Sequence, residues 1–176
     1  ARHGLAATVE VGDMADFRLR RKADAAFNTI NSFLHLKSEA RAQSHLQCVA
    51  RALAKGGIYV LGFHLTPREG KTWTGESWSA RRGHLAVASR MWSIAVDLRR
   101  RQERLGFTLD VYTPTRQFRL EDEIVFRTYT GGQFRRLLGR IPELEIVQTY
   151  DFAYDLDQPM RVTAASEDVV YVLRKQ

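Results

Sequence analysis

Asp13, Asn28, Asn31 and His64 each stand at or just beyond the end of a short apolar run, and each carries a group able to bind a polar ligand or move a proton. Asp13 is a short acceptor suited to an exocyclic amine, and Met14 beside it offers a backbone N–H and a soft thioether. The amides of Asn28 and Asn31 both donate and accept, which suits a zwitterionic amino-acid group or a substrate heteroatom. His64 is the first candidate for a base, because an imidazole takes up a proton near neutral pH. His35 lies among Phe33, Leu34 and Leu36 and reads rather as helix packing. Each residue also has a plainer reading: Asp13 as a turn cap, Asn31 or Ser32 as a helix cap, His64 as a structural histidine. Their shared position at the ends of apolar runs is what sets them apart.

The elements that must position them follow from pattern. Thr8 to Val11 is a β-branched run that stops at Gly12-Asp13, which predicts a strand and a turn. Ala25 to Ile30 predicts a second strand. From Ser38 to Leu53, apolar residues at Ala42, Leu46, Val49, Ala50 and Leu53 have helical spacing, with Ser38 as cap, Glu39 in the first turn and Gly56-Gly57 as terminator. Ile58 to Phe63 is continuously apolar, as in a strand buried on both faces of a parallel sheet. Strand, helix and strand with short links predict an α/β fold built on a partial, doubly wound, mostly parallel sheet. Ligands of such sheets bind at the carboxyl ends of the strands.

The middle of the chain has a different character. Thr66 to Gly83, rich in Gly, Ser, Thr, Trp and charge, predicts a loop or lid. Leu85 to Asp97, Phe107 to Thr113 and Glu123 to Tyr129 predict antiparallel strands forming an added layer. Gly131 to Gly139 predicts a short helix with Phe134, Leu137 and Leu138 on one face, and Leu144 to Tyr150 and Val169 to Leu173 predict two closing strands around a turn at Asp155 to Ser166. The expected organisation is one domain over residues 1–176, with residues 66–128 as an inserted, substrate-side antiparallel region.

Composition narrows the function classes. With 44% hydrophobic and 27% charged residues, the chain is an ordinary globular sequence rather than a disordered or fibrous one. No apolar run reaches the roughly 18–20 residues that cross a bilayer, and Ala1 to Leu5 lack the features of a signal peptide. The single Cys48, among helical apolar residues, reads as a small buried hydrophobe rather than a reactive thiol, and a reducing cytoplasm is the expected setting. The net charge of +7 gathers in Arg18, Arg20, Arg21 and Lys22 and in Arg99, Arg100, Arg101 and Arg104, with no interleaved aromatics, so solvated faces are favoured over nucleic-acid contact. The histidines lack zinc-ligand spacing, and Gly-X-Ser-X-Gly and a phosphate-cradling Walker segment are missing.

Three segments carry a resemblance: Val9-Glu-Val-Gly-Asp-Met-Ala-Asp-Phe17, Asp24 to Leu36, and Leu53-Ala-Lys-Gly-Gly-Ile-Tyr-Val-Leu-Gly-Phe-His64. In this order, about 20 and then about 30 residues apart as βα units require, they resemble the third, fourth and fifth strand units of class I (Rossmann-like) S-adenosylmethionine-dependent methyltransferases. The resemblance runs to Val169–Arg174 and covers the C-terminal two-thirds of that fold, without its first strand and glycine-rich loop. It implies S-adenosylmethionine as cofactor, with Asp13, Met14 and Asn28 as cofactor-binding residues. It places Asn31 and Ser32 where the methyl group meets the substrate, and it makes Lys55-Gly56-Gly57 a strand-entry turn. His64 and Asn31 are then the catalytic candidates and Ser32 a substrate-binding one. Arg127 and Tyr129, in the shared segment Phe126-Arg-Thr-Tyr-Thr130, would offer one strand face to the pocket mouth. Trp78, with Trp73, Glu76 and His84, either walls the substrate or pins a loop to the core. The expected partner is a small-molecule methyl acceptor, with no membrane and no nucleic acid, and the exposed sheet edges make a homo-oligomer an expectation. The rival readings are a non-catalytic binding or interaction module on the same sheet and, more weakly, an RNA-binding protein using the positive charge.

Overall fold

Phe33, Phe63, Phe134 and Tyr171 are at most 2% exposed and touch ring to ring, with Phe63–Phe134 centroids 5.0 Å apart and Phe134–Tyr171 4.5 Å apart. The elements that supply them define the fold. The computed structural model describes residues 8–69 and 74–176, so Ala1–Leu5 and Trp73 lie outside the described residues. In chain order the elements are β1 (Ala23–Asn28), α1 (Glu39–Ala52), β2 (Leu53–His64), β3 (Gly75–Arg82), β4 (Leu85–Asp97), β5 (Gln102–Tyr112), β6 (Gln117–Arg127), α2 (Gly131–Leu138), β7 (Leu144–Tyr150) and β8 (Asp168–Lys175), with a 3-10 turn at Ser32–His35. They form two four-stranded sheets, one ordered β1-β2-β8-β7 and one ordered β3-β4-β5-β6.

The first sheet is mixed, which corrects the expectation of a mostly parallel one. Only β1 and β2 pair in parallel, and β8 runs antiparallel to both of its neighbours. A parallel pair needs a crossover element, and α1 supplies one between β1 and β2. The sheet is also covered by helices on one face only, not doubly wound among the described residues. Tyr59, Leu61 and Phe63 alternate along β2 and share the buried face; Tyr59 meets His45 of α1 and Phe63 meets Phe134 of α2. The opposite face is covered near the end of β2, where Phe152 and Tyr154 lie over Gly62, and is open elsewhere: Phe27 is 81% exposed and Ile58 38%. Ile58 to Phe63 is therefore buried on one face rather than two.

Other expectations shift for local reasons. Thr8 to Val11 forms no strand; Val9 and Val11 are exposed, and no described segment offers them ladder hydrogen bonds. The helix starts at the expected cap, Ser38 Oγ accepting from Arg41 N–H at 3.2 Å, but ends at Ala52, where Leu53 turns extended without a glycine. Gly56, at φ 78°, instead bends the first part of β2, a conformation that favours glycine. Half of the expected 66–83 loop is strand β3, which pairs along its length with β4. Its side chains are all exposed, so it has no hydrophobic alternation to reveal it.

The antiparallel sheet is closely packed within itself and keyed to the rest through Glu39. A Cβ on Gly106 would fall 2.4 Å from the Trp92 ring, so the indole of β4 lies directly on the β5 backbone. Glu39 at the start of α1 binds Arg101 at 2.6 Å, Arg140 at 3.0 Å and Arg127 at 3.5 Å, and both Arg101 and Arg127 lie over the buried Tyr129 ring. Burial opposes the Glu39 charge, but these guanidiniums outweigh it and hold the carboxyl below its ordinary value.

Because Phe134 fills the centre of the aromatic cluster, Phe134→Ala is expected to lower stability by about 3–5 kcal/mol. Denaturant unfolding monitored by far-UV circular dichroism checks this, and Phe134→Leu should lose clearly less.

Candidate functional site

β1 and β2 run in the same direction and end at Asn28 and His64, so their carboxyl ends open on one edge of the sheet. Between them the chain turns through Ile30 and Asn31, consecutive residues at φ 57° and 66°. A β-branched residue in the left-handed region is strained, and strain of about 1–3 kcal/mol per residue persists only where neighbours hold it. Here Asn31 N–H donates to Gly62 O at 3.1 Å, and Asn31 Oδ1 accepts from His64 N–H at 2.8 Å. Asn31 is 4% exposed. Its side chain therefore locks the two strand ends together and does not cap the 3-10 turn.

His64 pairs in register with Asp168, and the two side chains hydrogen-bond through His64 Nδ1 and Asp168 Oδ1. Burial opposes a charge on the imidazole, but the Asp168 contact, with Glu76 and Glu167 nearby, overrides it and raises the His64 pKa above its ordinary value. Phe152 packs against the ring at 5.2 Å. His64 lines a cavity of about 380 Å³ between the two sheets. On the far wall, β4 carries a bulge between Ser93 and Ala95 opposite β5. The extra residue shifts the alternation, so that Met91, Ser93 and then Val96 all face the cavity. Leu105, Phe126 and the carboxyl group of Glu103 complete that wall.

A second cavity, about 410 Å³, lies on the other side of the 30–36 segment and is lined by Met14, Phe17, Asn28, Ser32, His45 and Tyr59 among others. Asn28 Oδ1 is buried there without a hydrogen-bond partner. The turn bearing Met14 is held by one stripe of α1: Ser44 Oγ donates to Ala15 O at 2.6 Å, and His45 Nδ1 bonds Met14 O at 2.7 Å. A carbonyl only accepts, so His45 Nδ1 carries the proton and Nε2 accepts from the Tyr59 hydroxyl at 2.8 Å. Burial lowers the His45 pKa, in keeping with a neutral ring, and raises that of Tyr59. Asp13 lies outside this cavity wall: Oδ1 caps the turn through Ala15 N–H at 2.8 Å, and both oxygens accept from Arg41.

The structure thus brings together Met14, Asn28 and Ser32 on one cavity and His64 on its neighbour, with Asn31 between. It does not bring in Arg127, Tyr129 or Trp78. Along the end of β6 and the residues after it, the cavity receives Phe126 and Thr128, the opposite set of the alternation. Tyr129 is wholly buried under Arg101 and Arg127, and Trp78 is 49% exposed on the outer strand β3. Asp168, Glu103, Ser93 and His45 were not singled out by the sequence. Only His45 had a readable signal, three residues after Ala42 on the apolar stripe of α1. Among the described residues no group of three or more His, Cys, Asp and Glu side chains could hold a metal, and no helix is long and apolar enough to cross a membrane.

Comparison of the fold identifies its class: it is part of the S-adenosylmethionine-dependent methyltransferase fold. A methyltransferase of that kind from Clostridium acetobutylicum superposes with a TM-score of 0.76 at 14% identity, over 99% of this chain and 67% of its own. The sugar N-methyltransferase of a Streptoalloteichus species gives 0.71 at 18% identity, over 99% and 65%. An amino pentose methyltransferase of calicheamicin biosynthesis from Micromonospora echinaspora, bound to S-adenosylmethionine, gives 0.66 at 16% identity, over 94% and 63%. The chain thus spans about two-thirds of the length of these structures. No protein-family model matches the sequence, and no curated protein matches it.

Removing the Asp168 charge should bring the His64 pKa down. In Asp168→Asn, an NMR titration of the imidazole is expected to show a midpoint below that of the native protein; an unchanged midpoint would mean that the contact has no electrostatic weight.

Proposed function

We propose that this chain forms the acceptor-binding part, and one wall of the cofactor site, of an S-adenosylmethionine-dependent methyltransferase acting on a small-molecule amine. The observation that carries this reading is the pair of cavities flanking the strained 30–36 segment at the carboxyl ends of β1 and β2. Bound cofactor would supply an electrophilic methyl group. Met14, Asn28 and Ser32 are the residues that would hold it, and the unpartnered Asn28 Oδ1 suits a donor such as an ammonium group. Asp13 orients the turn that presents Met14, and Oδ2, which accepts only from Arg41, is the acceptor it can offer an exocyclic amine.

On the other side, Asp168 holds the proton of His64 on Nδ1, which leaves Nε2 to take a proton from the bound ammonium and so free the nitrogen lone pair that would receive the methyl group. Asn31 acts through the backbone: it fixes the end of β2 and hence the place of His64. Arg127 and Tyr129 set the position of the opposing sheet. The carboxyl groups of Glu103 and Glu167 that line this cavity favour a cationic acceptor, in keeping with similar structures described as sugar N- and amino pentose methyltransferases. Positioning supplies most of the acceleration in such a reaction. A second reading, an interaction module on the same sheet, draws on the exposed Phe27, Ile30 and Ile58.

Methionine methyl NMR separates the two readings, because Met14 lines one cavity and Met91 the other. S-adenosylhomocysteine is expected to move the Met14 resonance, and Asn28→Ala to weaken that binding about tenfold. No Met14 response at millimolar ligand would sink the methyltransferase reading and leave the interaction module. With an amine acceptor, His64→Gln should lower kcat by about 10²–10³, and the ascending limb of the native pH–rate profile should lie above pH ~6.5, the ordinary imidazole value.

A further inference from the structure

Glu103 is the one charged side chain that β5 places on the cavity wall facing His64. Its neighbours on that wall, Met91, Val96, Leu105 and Phe126, are apolar. Ser93 Oγ donates to Glu103 Oε1 at 2.6 Å, and Ser93 N–H is itself tied to Thr74 O at 3.1 Å. The carboxyl group is therefore held in one orientation by a residue that lies diagonally across from it on β4, Ser93 pairing with Leu105. Oε2 has no hydrogen-bond partner among the described residues. Burial raises the Glu103 pKa, only partly offset by Ser93 and by the His64 charge, so the group is poorly solvated where it stands.

A half-satisfied carboxyl group in an apolar wall discriminates between ligands. One that brings a hydrogen-bond donor to Oε2 completes its bonding, and one that brings a methylene there removes its remaining water and leaves it unpaired. We propose that Glu103 is a specificity-determining residue, accepting a hydrogen bond from a donor group of the methyl acceptor other than the atom that receives the methyl. The inference rests on the methyltransferase reading for which atom faces His64. The ligand class it defines is an amine carrying a second donor, such as a hydroxyl, on an otherwise apolar frame.

Cyclohexylamine and the three positional isomers of aminocyclohexanol test this, since all carry the same ammonium and differ only in the hydroxyl. Titrated into the 176-residue chain and followed at the Met91 methyl, at least one isomer is expected to bind about tenfold or more tightly than cyclohexylamine. Glu103→Leu is expected to erase that preference, and Ser93→Ala, which frees the carboxyl group without removing it, to reduce it several-fold. Equal binding of all four amines, or a preference that survives Glu103→Leu, would overturn the assignment; if that variant does not fold, an undiminished preference in Ser93→Ala overturns it instead. Failure here with an intact Met14 response to S-adenosylhomocysteine counts against Glu103 alone. A Met91 preference without any Met14 response supports Glu103 as a selecting group and counts against methyl transfer.

Discussion

The antiparallel register of β8 against β2 is the constraint on which both core and site depend. In that register Val169, Tyr171 and Leu173 lie beside Phe63, Leu61 and Tyr59 on the face that the helices cover. The same alignment puts Asp168 opposite His64 on the other face. A slip of one residue would turn every β8 side chain to the wrong face, exposing Tyr171 and carrying Asp168 away from the imidazole. The packing of Tyr171 on Phe134 and Phe63 therefore holds the dyad in place from the opposite face of the sheet.

Local and global charge point in opposite directions in this protein. The net charge of +7 comes from arginines on outer surfaces, such as Arg18, Arg20, Arg21 and Arg99. The cavity beside His64 is instead lined by Glu103 and Glu167 and bordered by Asp168. A bound ligand experiences the nearby groups in a poorly solvated space far more strongly than distant, screened ones. A basic outer surface and an acidic cavity are therefore compatible in one chain.

What could be read from the sequence was local. Ser38, the apolar stripe of α1, the limits of β4 and the Phe134–Leu138 face rest on contacts within a few residues, and they stand where the pattern put them. Strand direction does not leave such a trace, so the reversal of β8 and the mixed character of the sheet were hidden. Alternation in the segment from Phe126 to Tyr129 announced two faces without saying which one meets the cavity, and the chosen pair, Arg127 and Tyr129, proved to be the other. Asp168 lies 104 residues from His64, a separation over which only the assembled sheet brings the two together. Glu103 and Ser93 become neighbours only through the pairing of β4 with β5, in which Ser93 stands opposite Leu105, and the bulge that then brings Val96 opposite Glu103 leaves no mark in the hydrophobic pattern of β4.

Trp92 on Gly106 gives the molecule a built-in optical gauge. The β5 backbone shields one face of this half-buried indole from water, and its emission will move to longer wavelength when β4 and β5 part. Because the bulge that shapes the cavity follows immediately at Ser93 in the same strand, fluorescence from this ring, in a variant that keeps it as the single tryptophan of the three, should register strain in the cavity wall while the mixed sheet, which contains no tryptophan, stays silent.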